Sequence, residues 1–380
     1  MQITKPIQMV DLGRQYQRIK GEIDQAILDV VSSTRYIKGP VVDAFEQELA
    51  GYLGVRHVIS CANGTDALQI ALMACDLRQG DEIIVPAFTY VATAEVIGLL
   101  KLHPVMIDVN TDDFNVTAEL IEQAITEKTK AIVPVHLFGQ PAPMKEIMEI
   151  ADRHKLMVIE DNAQAIGSDY FYGKDQIFKS GTIGHIGCTS FFPSKNLGCF
   201  GDGGAIFTND DDLASKLRMI SNHGQGERYY HEMLGVNSRL DAIQAAILRI
   251  KLKHLDDYCA RRRHVADQYD EIFRSEARIK IPERVEFGTH VFHQYTLQVP
   301  PEDREALRAY LSDKQIPSMI YYPVPLYKQK AFAEYWQDPE RELPVTEQLC
   351  RSVMSLPIHT EMEEDLVRYI SRSVINYFQQ

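Results

Sequence analysis

Basic residues are in deficit in this chain of 380 residues, where 40 Lys and Arg stand against 53 Asp and Glu for a formal net charge of −13. A general nucleic-acid binder needs a basic face, so this balance argues against one. An anionic small ligand stays open, because a local pocket can be positive on an acidic protein. Cysteine is also scarce. None of the six, at 61, 75, 188, 199, 259 and 350, has Cys-x-x-Cys spacing, and no Cys–His cluster fits zinc. They read as reduced, buried thiols. His223 and His231 fit no ligand spacing either, so no metal is expected. No apolar run approaches the ~18 residues of a membrane span, and the first residues, MQITKPIQMV, lack the apolar core of a signal peptide. The expectation is a cytoplasmic, soluble protein with no membrane partner. Internal repeats, low-complexity tracts and the GxxxxGK phosphate loop are missing as well.

What is present is the composition of an ordinary globular protein, 45% hydrophobic and 24% charged. At roughly 100–200 residues per domain, the length suits two or three domains, or one large and one small. Residues 15–32 place Ile19, Ile23, Ala26, Ile27 and Val30 at helical spacing, and VVDAFEQELAGYLG predicts a second helix ending at Gly54. From residue 57, short apolar runs alternate with helical patterns: HVISC, DEIIVPA, PVMIDV, KAIVPVHLF and LMVIED. Continuous apolar runs mark strands buried on both faces, hence a mostly parallel α/β sheet flanked by helices. GCTSFF and GAIFTN predict two further strands, and Arg239 to about Phe273 one long helical stretch. Beyond it HQYTLQV, REALRAYLSDK and the Pro- and Tyr-rich MIYYPVPLY suggest a smaller α+β domain. The expected division is 1–250 and 251–380.

Four stretches fall at strand ends, where α/β sheets place their ligands. In SCANGTDALQIAL, Asn63, Gly64 and Thr65 turn into a helix whose free N–H groups suit a phosphate, unless Thr65 or Asp66 is merely an N-cap. In VPAFTYVATAEVI, Tyr90 is either a ring for a planar ligand or a core aromatic. In LMVIEDNAQAIGS, an apolar run enters Glu160 and Asp161, followed by Gln164. A carboxylate there is a cap or the partner of a buried cation such as a protonated pyridine nitrogen. In SFFPSKNLGCFGDGGAIF, Lys195 follows an apolar strand and precedes a glycine-rich loop. Most lysines are solvated surface residues. One held in an apolar pocket can lose its proton and attack carbonyls, forming a Schiff base. A phosphate cradle, a stacking ring, a carboxylate and such a lysine are together what pyridoxal 5'-phosphate (PLP) requires.

These stretches, with PVHLFGQPAPM, GVNSRLDAIQAAIL, YYPVPLY and LPIHTEM, closely resemble the DegT/StrS family of nucleotide-sugar aminotransferases. The match runs from residue 57 to about 330 and beyond. The resemblance implies the aspartate-aminotransferase-type fold (PLP fold type I) and a smaller C-terminal domain. It implies Lys195 as the lysine bonded to the cofactor, Asp161 as partner of the pyridine nitrogen, Gln164 beside the ring hydroxyl and Tyr90 as the stacking residue. It implies Gly64, Thr65 and Ser190 as phosphate ligands and Asn237 as one reaching from the other subunit, hence a homodimer with sites at the interface. The wording is similar to a branch that aminates UDP-2-acetamido-2-deoxy-3-oxo-D-glucuronate for bacterial surface polysaccharides. Arg239 then matches an arginine expected to meet the uronate carboxylate, with L-glutamate as amino donor. Tyr321 stands where that branch usually carries a histidine; Tyr321 and Tyr322 are expected to contact the nucleotide or sugar. Two rival readings are amination at C4 of a 4-keto deoxysugar, where Arg239 has no carboxylate to meet, and a non-catalytic PLP-binding regulator. A dehydratase of this fold carries histidine at the position of Lys195, which argues against that activity.

Overall fold

A computed structural model describes residues 6–173, 175–336 and 341–380, so the start of MQITKPIQMV lies outside it. The chain opens with α1 (Leu12–Ser33) and α2 (Pro40–Leu53), the second ending at Gly54 with φ of 71°. Strands and helices then alternate as expected: β1 (His57–Cys61), α3 (Gly64–Ala74), β2 (Glu82–Pro86), α4 (Ala92–Leu99), β3 (His103–Ile107), α5 (Ala118–Ala124), β4 (Thr129–Ile132), α6 (Met144–His154) and β5 (Met157–Asp161). After a hairpin, β6 (Asp169–Phe171) and β7 (Ile177–Lys179), come β8 (Ile186–Ser190), β9 (Gly204–Thr208) and α7 (Asp211–Ile220). A second small hairpin, β10 (Gln225–Glu227) and β11 (Tyr230–His231), precedes α8 (Ala242–Leu252) and α9 (Leu255–Phe273). The chain closes with β12 (Tyr295–Gln298), α10 (Pro301–Asp313), α11 (Pro344–Ser352), β13 (Val353–Leu356) and α12 (Glu364–Phe378).

The main sheet has the order β1-β9-β8-β5-β4-β2-β3. β8, β5, β4, β2 and β3 pair in parallel, and β9 runs antiparallel to both β8 and β1. The mostly parallel α/β class therefore holds, with β9 as the reversed strand among the described residues. KAIVPVHLF forms a ladder only as far as Ile132, because Pro134 has no N–H to donate; its carbonyl still accepts from Asp161 N–H at 2.9 Å. The helical stretch from Arg239 is two helices rather than one. α8 packs on α1 and α2, whereas α9 packs on α12, and the break at Lys253–His254 lets each serve its own core.

The second core gathers Tyr269, Phe273, Tyr295, Leu297, Leu307 and Ile370 around the β12–β13 pair. The α8–α9 break lies a few residues beyond position 250, where the sequence sets its expected boundary. The segment after α10 crosses back: Leu326, Tyr327, Phe332 and Leu343 join the core of the main sheet. The main sheet's carboxyl ends, at Cys61, Pro86, Asp161 and Ser190, open on one side, and that side holds the cleft described next.

Candidate active site

A cleft of about 820 Å³ lies over those strand ends. It is lined by Gly64, Thr65, Tyr90, Asp161, Gln164, Ser190, Lys195, Tyr321 and Tyr322, nine of the residues singled out in the sequence. The structure brings these together and leaves Asn237 and Arg239 outside. Asn237 is exposed beside the β10–β11 hairpin, where it bridges Asn222. Arg239 lines a separate pocket with Lys38, Glu46 and Arg218.

Lys195 sits on the turn joining β8 to β9. Its own N–H donates to Phe192 C=O at 2.8 Å, and Cys199 N–H to Phe191 C=O at 2.8 Å. The glycines beside it serve backbone approach: a β-carbon on Gly198 would meet Pro193 O at 2.3 Å, so only glycine closes this turn. Burial brings the Lys195 amine down from 10.5 to about 8, with Asp161 pulling the other way. An amine so shifted is partly neutral near physiological pH, as a nucleophile or base must be.

Asp161 ends β5, 5% exposed. It accepts from Thr93 Oγ1 at 2.8 Å and Ala163 N–H at 3.1 Å. Burial still pushes its carboxyl up. A cation facing it would favour the ionised form. Glu160, its neighbour, points away and is wholly buried. It takes N–H donors from Gly181, Ile183 and Gly184 at 2.8, 2.6 and 2.5 Å, and His136 Nε2 at 2.8 Å.

Gln164 is held at both ends of its amide. Oε1 accepts from Phe138 N–H at 2.8 Å, and Nε2 donates to Tyr322 Oη at 3.1 Å. Tyr90 is 57% exposed, its ring 6.3 Å from that of Tyr322 and tilted by 44°. It is thus a cleft-edge ring rather than a core aromatic. Asn63, not Thr65 or Asp66, caps α3, accepting from Asp66 N–H at 2.8 Å. Gly64 and Thr65, in the first turn at the helix's positive end, both line the cleft. A β-carbon on Gly64 would lie 2.7 Å from Ser190 Cβ, so glycine keeps this corner open against Ser190.

His293, Gln294, Thr89, Thr93 and Asp202 were not singled out in the sequence. His293 Nε2 lies 3.5 Å from Lys195 Nζ, and Thr89 Oγ1 is buried at the cleft without a partner. HVFHQYTLQV carries no spacing signal for the histidine, because its contact to Lys195 spans 98 positions. The N–H corner at α3, the buried carboxylate, the exposed ring and the shifted amine together fit PLP. Among the described residues no cluster of His, Cys, Asp and Glu could hold a metal ion, and no helix is long and apolar enough to cross a membrane.

The sequence matches the DegT/DnrJ/EryC1/StrS aminotransferase family over residues 17–375. It is 45% identical to the UDP-2-acetamido-2-deoxy-3-oxo-D-glucuronate aminotransferase of Pseudomonas aeruginosa, covering 97% of this chain and 100% of that one. It is 44% identical to a UDP-N-acetyl-3-dehydro-alpha-D-glucosamine 3-aminotransferase of Acidithiobacillus ferrooxidans over 96% of each chain. It is 43% identical to a protein of Geobacillus stearothermophilus called a pleiotropic regulatory protein, over 98% of each. Among solved structures, S. venezuelae DesV in complex with a ketimine intermediate superposes with a TM-score of 0.94 at 38% identity, over 99% of this chain and 100% of that one. Bacillus subtilis NtdA with bound cofactor PMP gives 0.87 at 32%, over 98% and 83%. The chain therefore belongs to the DegT/DnrJ/EryC1/StrS aminotransferase family and is a PLP-dependent aminotransferase of sugars carried on nucleotides.

Proposed function

We propose that the chain transfers the amino group of L-glutamate to C3 of UDP-2-acetamido-2-deoxy-3-oxo-D-glucuronate. It acts as a cytoplasmic homodimer supplying an amino sugar for bacterial surface polysaccharide, lipopolysaccharide included. The single observation that carries the reaction class is the placing of a depressed-pKa amine, Lys195, and a buried carboxylate, Asp161, in one cleft at the strand ends. The choice of sugar leans on likeness to the Pseudomonas enzyme.

Bound PLP supplies an electron sink for the carbanion left when a C–H bond next to the transferred nitrogen breaks. Lys195 would hold it, and the Lys195 Nζ, once free, would take the proton from the donor's α-carbon as a general base. In the second half-reaction the same Nζ delivers a proton to the sugar carbon that receives nitrogen. Asp161 holds the proton on the pyridine nitrogen. Gln164 orients the ring hydroxyl, and Tyr90 covers the ring face. Gly64 and Thr65 N–H and Ser190 hold the phosphate, joined by Asn237 from a second copy of the chain. Tyr321 and Tyr322 take the sugar or nucleotide. Arg239 meets the uronate carboxylate; a bidentate guanidinium fork suits that task. Two alternating half-reactions give ping-pong kinetics.

Arg239 lies outside its own chain's cleft, so it meets the carboxylate only from a second copy of the chain, as Asn237 does; without that reach the second reading, amination at C4 of a 4-keto deoxysugar with no carboxylate to bind, takes its place. Product mass analysis with glutamate and a panel of keto nucleotide-sugars decides. An oxo-to-amine exchange on the 3-oxo uronate supports the proposal, and exchange on the 4-keto deoxysugar alone overturns it. No exchange on any sugar, with no spectral change on adding glutamate, favours a regulator. Lys195→Ala should abolish turnover in a folded protein.

A further inference from the structure

The segment 290–294 is held in an unusual way. Phe292 has φ of 46°, in the left-handed region where a side chain is strained. Arg262, on α9, is 2% exposed, and its Nη1 donates to the carbonyls of Phe292 at 3.1 Å, Ile358 at 3.0 Å and His293 at 3.4 Å. A buried guanidinium given over to carbonyls is costly. Asn196, next to Lys195, donates from Nδ2 to Val291 C=O at 2.9 Å. Gly139 runs so close that a β-carbon there would lie 2.9 Å from His293 N. Together these fix one imidazole in the cleft wall: His293, 5% exposed, with Nε2 3.5 Å from Lys195 Nζ and Nδ1 buried without a partner.

We propose that His293 is a positioning residue for the Lys195 amine, a neutral imidazole whose Nε2 accepts a hydrogen bond from the ammonium form and fixes where Nζ points while it carries a proton. The inference rests on the reading of Lys195 as the reacting amine. Burial, with the positive charges of Lys195 and Arg262, holds His293 well below the usual imidazole range, so it takes no proton itself. Favouring the ammonium form, it acts with Asp161 and against the burial that lowers Lys195. Asp202, Tyr321 and Tyr322 line the same cleft.

The test measures labelling of Lys195 by trinitrobenzenesulfonate in the full-length, cofactor-free chain, read by peptide mass spectrometry across neutral and alkaline pH. The native chain should show a midpoint at about 8. His293→Leu should move that midpoint down, and in the loaded enzyme lower kcat by ~10–100-fold with KM little changed, the size expected of a misplaced reacting group. His293→Gln, whose Oε1 can accept the same hydrogen bond, should restore both. A folded His293→Leu protein with native midpoint and kcat overturns the proposal. Should His293→Leu not fold, His293→Asn replaces it: its amide is too short to reach, and equal midpoints for the Asn and Gln variants overturn the proposal equally. Turnover surviving in Lys195→Ala would overturn the reading of Lys195 itself. Its loss there, alongside native behaviour in His293→Leu, overturns this inference alone.

Discussion

Glu160 and Asp161 are neighbours at the end of β5 with opposite tasks. Side chains alternate along a strand, so one faces the cleft and the other the loop at 181–184. The apolar run before them says that a carboxylate here must be paired. It does not say which residue pairs with a ligand and which with protein. The structure separates them: Glu160 takes three backbone N–H groups and His136, whereas Asp161 looks into the cleft. Glu160→Gln would turn an amide donor toward N–H groups that now have an acceptor. The expected loss is on the order of 3 kcal/mol, read by chemical denaturation, because buried donors are left unpaired. A loss within about 0.5 kcal/mol, as at ordinary surface sites, would contradict the role given to Glu160. Lys195, Asp161, Gln164 and Tyr90 were legible because each sits just after an apolar run. His293 was not, because nothing local distinguishes it from a core histidine.

At the scale of elements, the alternation of apolar runs and helical patterns carried most of the main sheet. It did not carry the short hairpins, α11, or the split between α8 and α9, each of which depends on what the segment packs against. α8 also braces the turn of Lys195 from behind. Lys251, 1% exposed, donates from Nζ to Gly198 C=O, and burial brings its amine from 10.5 down to about 8. The folded chain therefore releases this proton near pH 8 and the unfolded chain near 10.5. Between those values the unfolded state binds more protons, so stability rises with pH. Below pH 8 the cost of burying the charge is present in full. Lys251→Met removes that cost, so its stability relative to the native chain should fall by roughly 3 kcal/mol or less as pH rises through this window. Thermal unfolding of both chains at several pH values measures the difference. A difference that does not change with pH would show that Lys251 is uncharged or solvated in the fold.

For the whole molecule, the cleft of one chain holds every expected cofactor contact except Asn237, which is exposed beside the β10–β11 hairpin and outside the cleft lining. The proposed phosphate role of Asn237 then requires an assembly in which copies complete one another. Mixing Lys195→Ala chains with Asn237→Ala chains tests this. If Asn237 acts across the interface, hybrids regain one intact site and the mixture becomes active. If it acts within its own chain, no combination restores activity. Family resemblance made this arrangement an expectation, whereas periodicity and composition could not, since both describe one chain at a time.

Which amine carries the cofactor is decisive, and among the described residues burial lowers the amines of both Lys195 and Lys251 to about 8. Reducing the PLP-loaded protein with borohydride makes the linkage permanent, and peptide mass spectrometry then locates it. The adduct is predicted on the peptide containing Lys195 and on no other. An adduct on Lys251 or any other lysine, or a loaded protein with no adduct at all, would contradict the account.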